Sequence, residues 1–360
     1  MFSSLLTLPT CWEQLQKTEK PIVMYGMGNG ADRILAILER LGVTVSDFFA
    51  SDAFVRGQLF HGKRVKTFTE IQSQHEDFVI VVAFASEECP VMDQIGELNR
   101  QYELYVPDMP VVGDVLFDRA FLSAHMEEVE TVYHMLADEK SREVYRDLIA
   151  YKLTGRLDDL MKTESDRAEV LQELLPLGSE EGYVDLGAYN GDTVAEFLAM
   201  TGGAFSSIHA MEPDPKNFLK LQKRLETMGI YPDPRVQLHN AAAWEDKAML
   251  HFAAKSGRNS TVTADGRETP ADSVDRLTKD FIITYLKMDV EGSEREAIHG
   301  AVKTIRRCRP KLMLSAYHLS RDLFFLPLLI QKITPGYRFY LRRFPYIPAW
   351  EINYICLPEN

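Results

Sequence analysis

The chain has 360 residues, 46% of them hydrophobic, enough to bury a substantial core and long enough for two domains. Its 53 acidic residues against 40 basic ones leave a net charge of -13, which argues against general affinity for nucleic acid or acidic membranes. No run of about 18 uncharged apolar residues is present, so no membrane span is expected, and no basic start followed by an apolar run marks a secretory leader.

The elements begin with a small α/β unit between Lys20 and Val112. PIVMYG reads as a strand and ADRILAILERLG as a helix, with Ile34, Leu38 and Leu41 on one face and Gly42 as its stop. VTVSDFFASD is a second strand and FVIVVAF a third. The turn YGMGNGA fits a Gly-x-Gly-x-x-Ala fingerprint, with Gly26 and Gly28 in the loop and Asp52 closing the next strand. Two readings stay open: glycines that only permit tight strand–helix packing, or a nucleotide or nucleotide-sugar site. An NAD(P)-dependent oxidoreductase is the weaker alternative, because no Tyr-x-x-x-Lys pair follows.

From Asp114 to Leu177 the chain reads as helical, with Val144, Leu148 and Tyr151 in register and Pro176 and Gly178 marking the end. This divides the chain into a Rossmann-like unit (1–113), a helical linker (114–178) and a third region (179–360). Four cysteines (Cys11, Cys89, Cys308, Cys356) show neither a Cys-x-x-Cys pair nor zinc spacing, and read as reduced, buried thiols of a cytoplasmic protein.

In the third region strands and helices alternate, which predicts a mostly parallel, doubly wound sheet. YVDLG is a strand, TVAEFLAM a helix and SSIHAM the next strand. Asp214 caps a helix with Pro215 at its first position. VQLHNAAA and FIITYLKMDV are the third and fourth strands, EREAIHGAVKTI a helix and KLMLSAYHL the fifth strand. YRFYLRRF and EINYICLP close the chain as an antiparallel hairpin.

YVDLGAYNGDT carries a strand-ending acid (Asp185), turn glycines (Gly187, Gly191) and a helix start capped by Asp192 or Thr193. Glu212 ends the next strand, where an acid accepts bonds from ribose hydroxyls. A dinucleotide needs glycine at the second fingerprint position, and Tyr189 holds that place. S-adenosylmethionine has no pyrophosphate and suits the crevice better. Asp185 and Asp192 suit its ammonium and the turn, and Asn240 and Ala241 are placed at the adenine, with Trp244 as a wall or simply core.

YLKMDVEGSE delivers Lys287, Asp289 and Glu291 to the carboxyl end of the fourth strand, and Ser293 can cap the next helix. AYHLSRD places Tyr317 and His318 beside them. A neutral alcohol is a weak nucleophile, so its proton must be taken or its pKa lowered. His318 could act as the base, or Asp289 and His318, with Glu291, could hold a divalent metal such as Mg2+. The bases between Lys303 and Arg343 read either as a solvated face or as a pocket rim for an anionic substrate.

These residues resemble the FkbM family of S-adenosylmethionine-dependent methyltransferases: YVDLGAYNGDT, MEPDP after Glu212, NAAAW, Ser273-Val-Asp-Arg-Leu and YLKMDVEGSEREAIHGA. The resemblance implies the class I methyltransferase fold, with Gly187, Gly191 and Glu212 at the cofactor. It implies an O-methyltransferase acting on a hydroxyl of a sugar, nucleotide sugar, glycolipid or related natural product. Many members end the fifth strand with Glu, whereas this chain has Tyr317-His318, like a subset that reads Tyr-His. The N-terminal unit resembles the small nucleotide-sugar-binding domain found before some sugar acyltransferases, so a non-catalytic nucleotide-sugar-binding protein is a further alternative. A hydroxyl acceptor, itself anionic under the pocket-rim reading, is the expected partner; a homo-oligomer is compatible with this reading.

Overall fold

The computed structural model describes residues 2–252 and 267–359. The third region is built on a seven-stranded sheet whose order across the sheet is 337–343, 352–358, 311–315, 285–288, 182–186, 207–211 and 236–239. Neighbours from Lys311–Ser315 across to Val236–His239 are parallel. The expected hairpin is present, and its last strand inserts antiparallel between Lys311–Ser315 and Tyr337–Arg343. Parallel strands buried on both faces need near-continuous apolar sequence, and Gly182–Leu186, Ser207–Met211 and Tyr285–Met288 are buried at every position. The polar residues in that buried frame are therefore informative, and Lys287 lies opposite Asp185 in the register.

The N-terminal unit is a parallel sheet in the order 47–49, 22–25, 79–82, 103–105. Its fourth strand, Glu103–Tyr105, was not visible in sequence because it is three residues long and starts on a charge. The Ser86 and Ile347 backbones exchange hydrogen bonds of 2.7 and 2.9 Å, which joins this unit to the loop before the last strand.

The linker helix Glu139–Thr154 is capped by Asp138 and ended by Gly155 at φ 61°. It lies against the edge strand, with the Leu341 amide donating to Ser141 Oγ (3.0 Å). Its other end docks on the N-terminal sheet, where Lys152 and Asp108 form a buried pair at 3.0 Å. One continuous apolar core accordingly runs from Val23 through Leu148 to Leu286.

Three elements depart from expectation. EREAIHGAVKTI breaks into Glu294–His299 and Val302–Cys308, because Gly300 packs against the Trp244 carbonyl, where a Cβ would sit 1.9 Å from the oxygen. VQLHNAAA splits at Asn240, and Ala242–Ala243 joins a small separate sheet with Ala248–Phe252 and Arg267–Asp272. The helix Asp322–Ile333 is apolar nearly all round, so no amphipathic period announces it.

Several of the bases after Lys303 tie the fold together. Arg307 donates to the Thr278 and Phe281 carbonyls, Arg309 to Pro335 and Gly336, and Arg342 to Asp138. Arg343 is wholly buried and bonds Thr163, Glu164 and the Tyr346 carbonyl. Cys11 and Cys356 are buried free thiols as expected, but Cys89 is exposed at a helix start. Among the described residues no helix is long and apolar enough to cross a membrane.

Candidate active site

Gly187 follows the first strand at φ 82°, and a Cβ there would lie 1.8 Å from the Asp289 carbonyl oxygen. Only glycine lets the two strand ends approach this closely. Gly191, at φ 83°, is itself the N-cap of helix Asp192–Met200; neither Asp192 nor Thr193 caps it. Thr193 Oγ1 instead donates to Asp185 (2.5 Å), and Lys287 Nζ lies 3.5 Å from the same carboxylate. Asp185 is fully buried, and burial pushes its carboxyl up against the pull of Lys287. Its two oxygens are thus engaged by Thr193 and Lys287.

Glu212 joins the turn after Gly182–Leu186 to the loop after Ser207–Met211. Its carboxylate accepts the Tyr189 amide (2.9 Å) and the Asp214 amide (2.8 Å), and is only 6% exposed. Burial pushes its pKa up to about 7. Two amides leave part of its acceptor capacity free, which fits a pair of ribose hydroxyls. Tyr189 takes φ 46°, with Lys220 Nζ 5.8 Å from its ring centroid. Asn240 donates to the Glu212 and Pro213 carbonyls (2.8 and 3.2 Å), so it shapes the loop beside buried Ala241. Trp244 packs against the small sheet through Ala242 and Ala271.

At the end of strand Tyr285–Met288, the Asp289 side chain is 25% exposed. The Tyr317 hydroxyl lies 3.3 and 3.4 Å from its two oxygens. His318 is completely buried, with Nε2 3.3 Å from Asp289 and 3.5 Å from Glu291, and Nδ1 2.9 Å from Glu294. Neither ring nitrogen is aligned for a hydrogen bond, so these contacts are ion pairs. Burial opposes the ring's charge, but Glu294, then Asp289 and Glu291, outweigh it and push the pKa up to about 10. A pKa raised in this way favours the protonated ring and argues against the expected role of His318 as base. Asp289 and Glu291 are the partly exposed members of the group, at 25% and 30%.

Glu294 and Asp322 were missed in sequence, where each reads as an ordinary helix-start acid. Glu294 Oε1 accepts the Val290 and Gly292 amides, which replaces the expected Ser293 cap. Asp322 is 2% exposed and is pushed up to about 8 by burial and by Glu294. Asp289, Glu294 and His318 offer donor atoms within 4.8 Å of one another, a spacing one cation could share.

The N-terminal glycines divide. Gly26 and Gly30 serve packing, since a Cβ would meet Phe84 at 2.9 Å and the Ala83 oxygen at 2.5 Å. Gly28, at φ 132°, faces open space. Asp52 does not close the second strand, which ends at Phe49; it lies exposed in the following helical turn.

Residues 185–340 match the methyltransferase FkbM domain. The chain resembles the crystal structure of methyltransferase FkbM from Methylobacillus flagellatus, with TM-score 0.70 and 22% identity over 94% of this chain and 90% of that one. That likeness shows the fold. An rRNA methylase from Streptococcus thermophilus matches at TM-score 0.36 and 17% identity, over 53% of this chain and 93% of that one. A precorrin-6y C5,15-methyltransferase from Geobacter metallireducens matches at 0.33 and 16%, over 53% and 85%. Neither bears on the substrate here, and no curated protein matches the chain.

Proposed function

We infer that this chain, an S-adenosylmethionine-dependent methyltransferase carrying an FkbM domain at residues 185–340, methylates a hydroxyl of a sugar, nucleotide sugar, glycolipid or related natural product. The observation that carries the reading is the contact between the cofactor turn and the acid strand end, Gly187 against Asp289. In a doubly wound sheet ligands bind outside the carboxyl ends of the strands. Asp289 stands at that edge next to the turn.

The proposed cofactor residues are Gly187, Tyr189, Gly191, Asp192 and Thr193 at the turn, Glu212 at the ribose, and Asn240 and Ala241 at the adenine. S-adenosylmethionine supplies an electrophilic sulfonium methyl when bound. The chain's task is to present an acceptor oxygen in line and to receive its proton. Asp289 is assigned to accept that hydroxyl's hydrogen bond and proton. Tyr317 and the His318 cation hold the carboxylate in one orientation, and Glu291 shares the cation. Mass spectrometry of a carbohydrate extract incubated with methyl-labelled cofactor tests this: a labelled ether product is expected, and label on nitrogen or carbon alone contradicts it.

A second reading is favoured by one observation: Glu294 Oε2 and both His318 nitrogens are buried without a hydrogen bond. A divalent cation held by Asp289, Glu294 and one nitrogen of a neutral His318 would engage two of these three atoms and polarise the hydroxyl. Mn2+ titrated into chelator-treated protein and followed by electron paramagnetic resonance separates the readings. Stoichiometric Mn2+ lost in Glu294→Gln supports the cation, and absence of binding leaves the imidazolium account.

A further inference from the structure

A cavity of about 550 Å3 lies between the start of the linker and the start of helix Asp322–Ile333, walled by Val112, Phe121, Phe324, Phe325 and Leu328. Its volume is in the range of small-ligand sites. Its roof is the strap 110–115, held from every side. Arg33 of the N-terminal unit donates to the Pro110 and Gly113 carbonyls at 2.6 and 2.7 Å. The Val112 amide donates to the His318 carbonyl (3.0 Å), and Ser320 Oγ to the Val115 carbonyl (2.6 Å). The Val112 side chain also packs on Gly292, where a Cβ would meet it at 3.0 Å.

These holds place the cavity on the functional edge of the sheet. Leu319, Ser320 and Arg321 line it and directly follow His318, while Gly292 is three residues past Asp289. Both segments leave the carboxyl ends of parallel strands 311–315 and 285–288. The cofactor turn leaves the same end of the adjoining strand 182–186. Donor crevice, Asp289 and cavity thus follow one another along a single edge.

The chemistry of the walls is specific. Most lining side chains are apolar, three of them phenylalanines. Glu128 is already 3.4 Å from His125. Arg321 forms no ion pair among the described residues, and its guanidinium sits 5.2 Å from the Phe325 ring centroid.

We propose that this cavity seats the acceptor: an amphiphile whose aromatic or acyl body fills the phenylalanine-lined space, whose anionic group meets Arg321, and whose hydroxyl end reaches Asp289. The acceptor role rests on the methyltransferase reading above. A bare, uncharged monosaccharide leaves the apolar walls unfilled and binds poorly.

The test uses 1-anilinonaphthalene-8-sulfonate, an aromatic anion, titrated by fluorescence into the folded full chain. Two rim variants keep the core intact: Val115→Trp, at a side chain 62% exposed, and Arg321→Glu. Saturable wild-type binding weakened at least tenfold by each variant is expected, with S-adenosylmethionine affinity within twofold of wild type. Incorporation of labelled methyl into an amphiphile extract should fall at least tenfold in Val115→Trp. Unchanged dye affinity in both variants, or unchanged incorporation in Val115→Trp, overturns the proposal. Failure of the wild type to bind S-adenosylmethionine would instead remove the methyltransferase reading, while the dye arm still decides whether the cavity takes an aromatic anion.

Discussion

Gly187 and Asp289 lie so close that a single methyl group on the former would overlap the carbonyl oxygen of the latter at 1.8 Å. This contact fixes the distance between the proposed cofactor turn and the acid proposed to meet the acceptor. Gly187→Ala must move one strand end and is expected to destabilise the fold by about 3 kcal/mol or more. Gly202→Ala is the control, since Gly202 has positive φ but no neighbour within 4 Å, and should cost about 1 kcal/mol. Urea denaturation of both checks the difference.

Glu212, the proposed ribose ligand, should make cofactor binding depend on pH. Burial raises its pKa to about 7, and the ionised carboxylate is the form expected to accept two ribose hydroxyls. The charged form is present above that pH and lost below it. Affinity for S-adenosylmethionine should therefore hold at pH 8 and fall as pH drops, approaching about tenfold per unit well below the pKa. Glu212→Ala should weaken binding at least about tenfold at pH 8 and flatten this profile. Isothermal titration at several pH values reads both effects.

Asp289→Asn keeps the shape of the side chain but removes its ability to take a proton. Methyl transfer is expected to fall about a hundredfold to ten-thousandfold, with S-adenosylmethionine affinity changed less than about threefold. Parallel losses in both quantities would make Asp289 a shaping residue only. Single-turnover kinetics together with cofactor titration separate these outcomes.

His318→Leu removes a buried partner from three carboxylates and should cost about 3–5 kcal/mol. Adding Glu294→Leu in the same chain should recover part of that loss, because it removes the buried acid that contacts Nδ1. Denaturation midpoints of the single and double variants give the coupling.

The sheet and the glycine turns were legible in sequence because each has a local signature. The strands are short apolar runs, Gly187 and Gly191 sit where positive φ is required, and Asp214-Pro215 opens a helix as its residue types dictate. The acid cluster was legible only in part. Asp289, Glu291 and His318 stand at strand ends, but Glu294 and Asp322 converge on the imidazole through tertiary packing alone. The three carboxylates that push the His318 imidazole's pKa up come from outside its own strand, so its local sequence does not announce them. The bases after Lys303 share the pattern of an anion-binding rim, yet carbonyl groups distant in sequence take up Arg307 and Arg309. Helix Asp322–Ile333 and the cavity beside it left no periodic trace, since a helix buried on nearly all faces lacks a polar side.

The account stands most directly on where the nucleoside docks, which a crystal structure with S-adenosylhomocysteine would show. It predicts both ribose hydroxyls within hydrogen-bonding reach of Glu212 and the sulfur turned toward Asp289. A nucleoside bound elsewhere, or a sulfur facing away from that carboxylate, would contradict it.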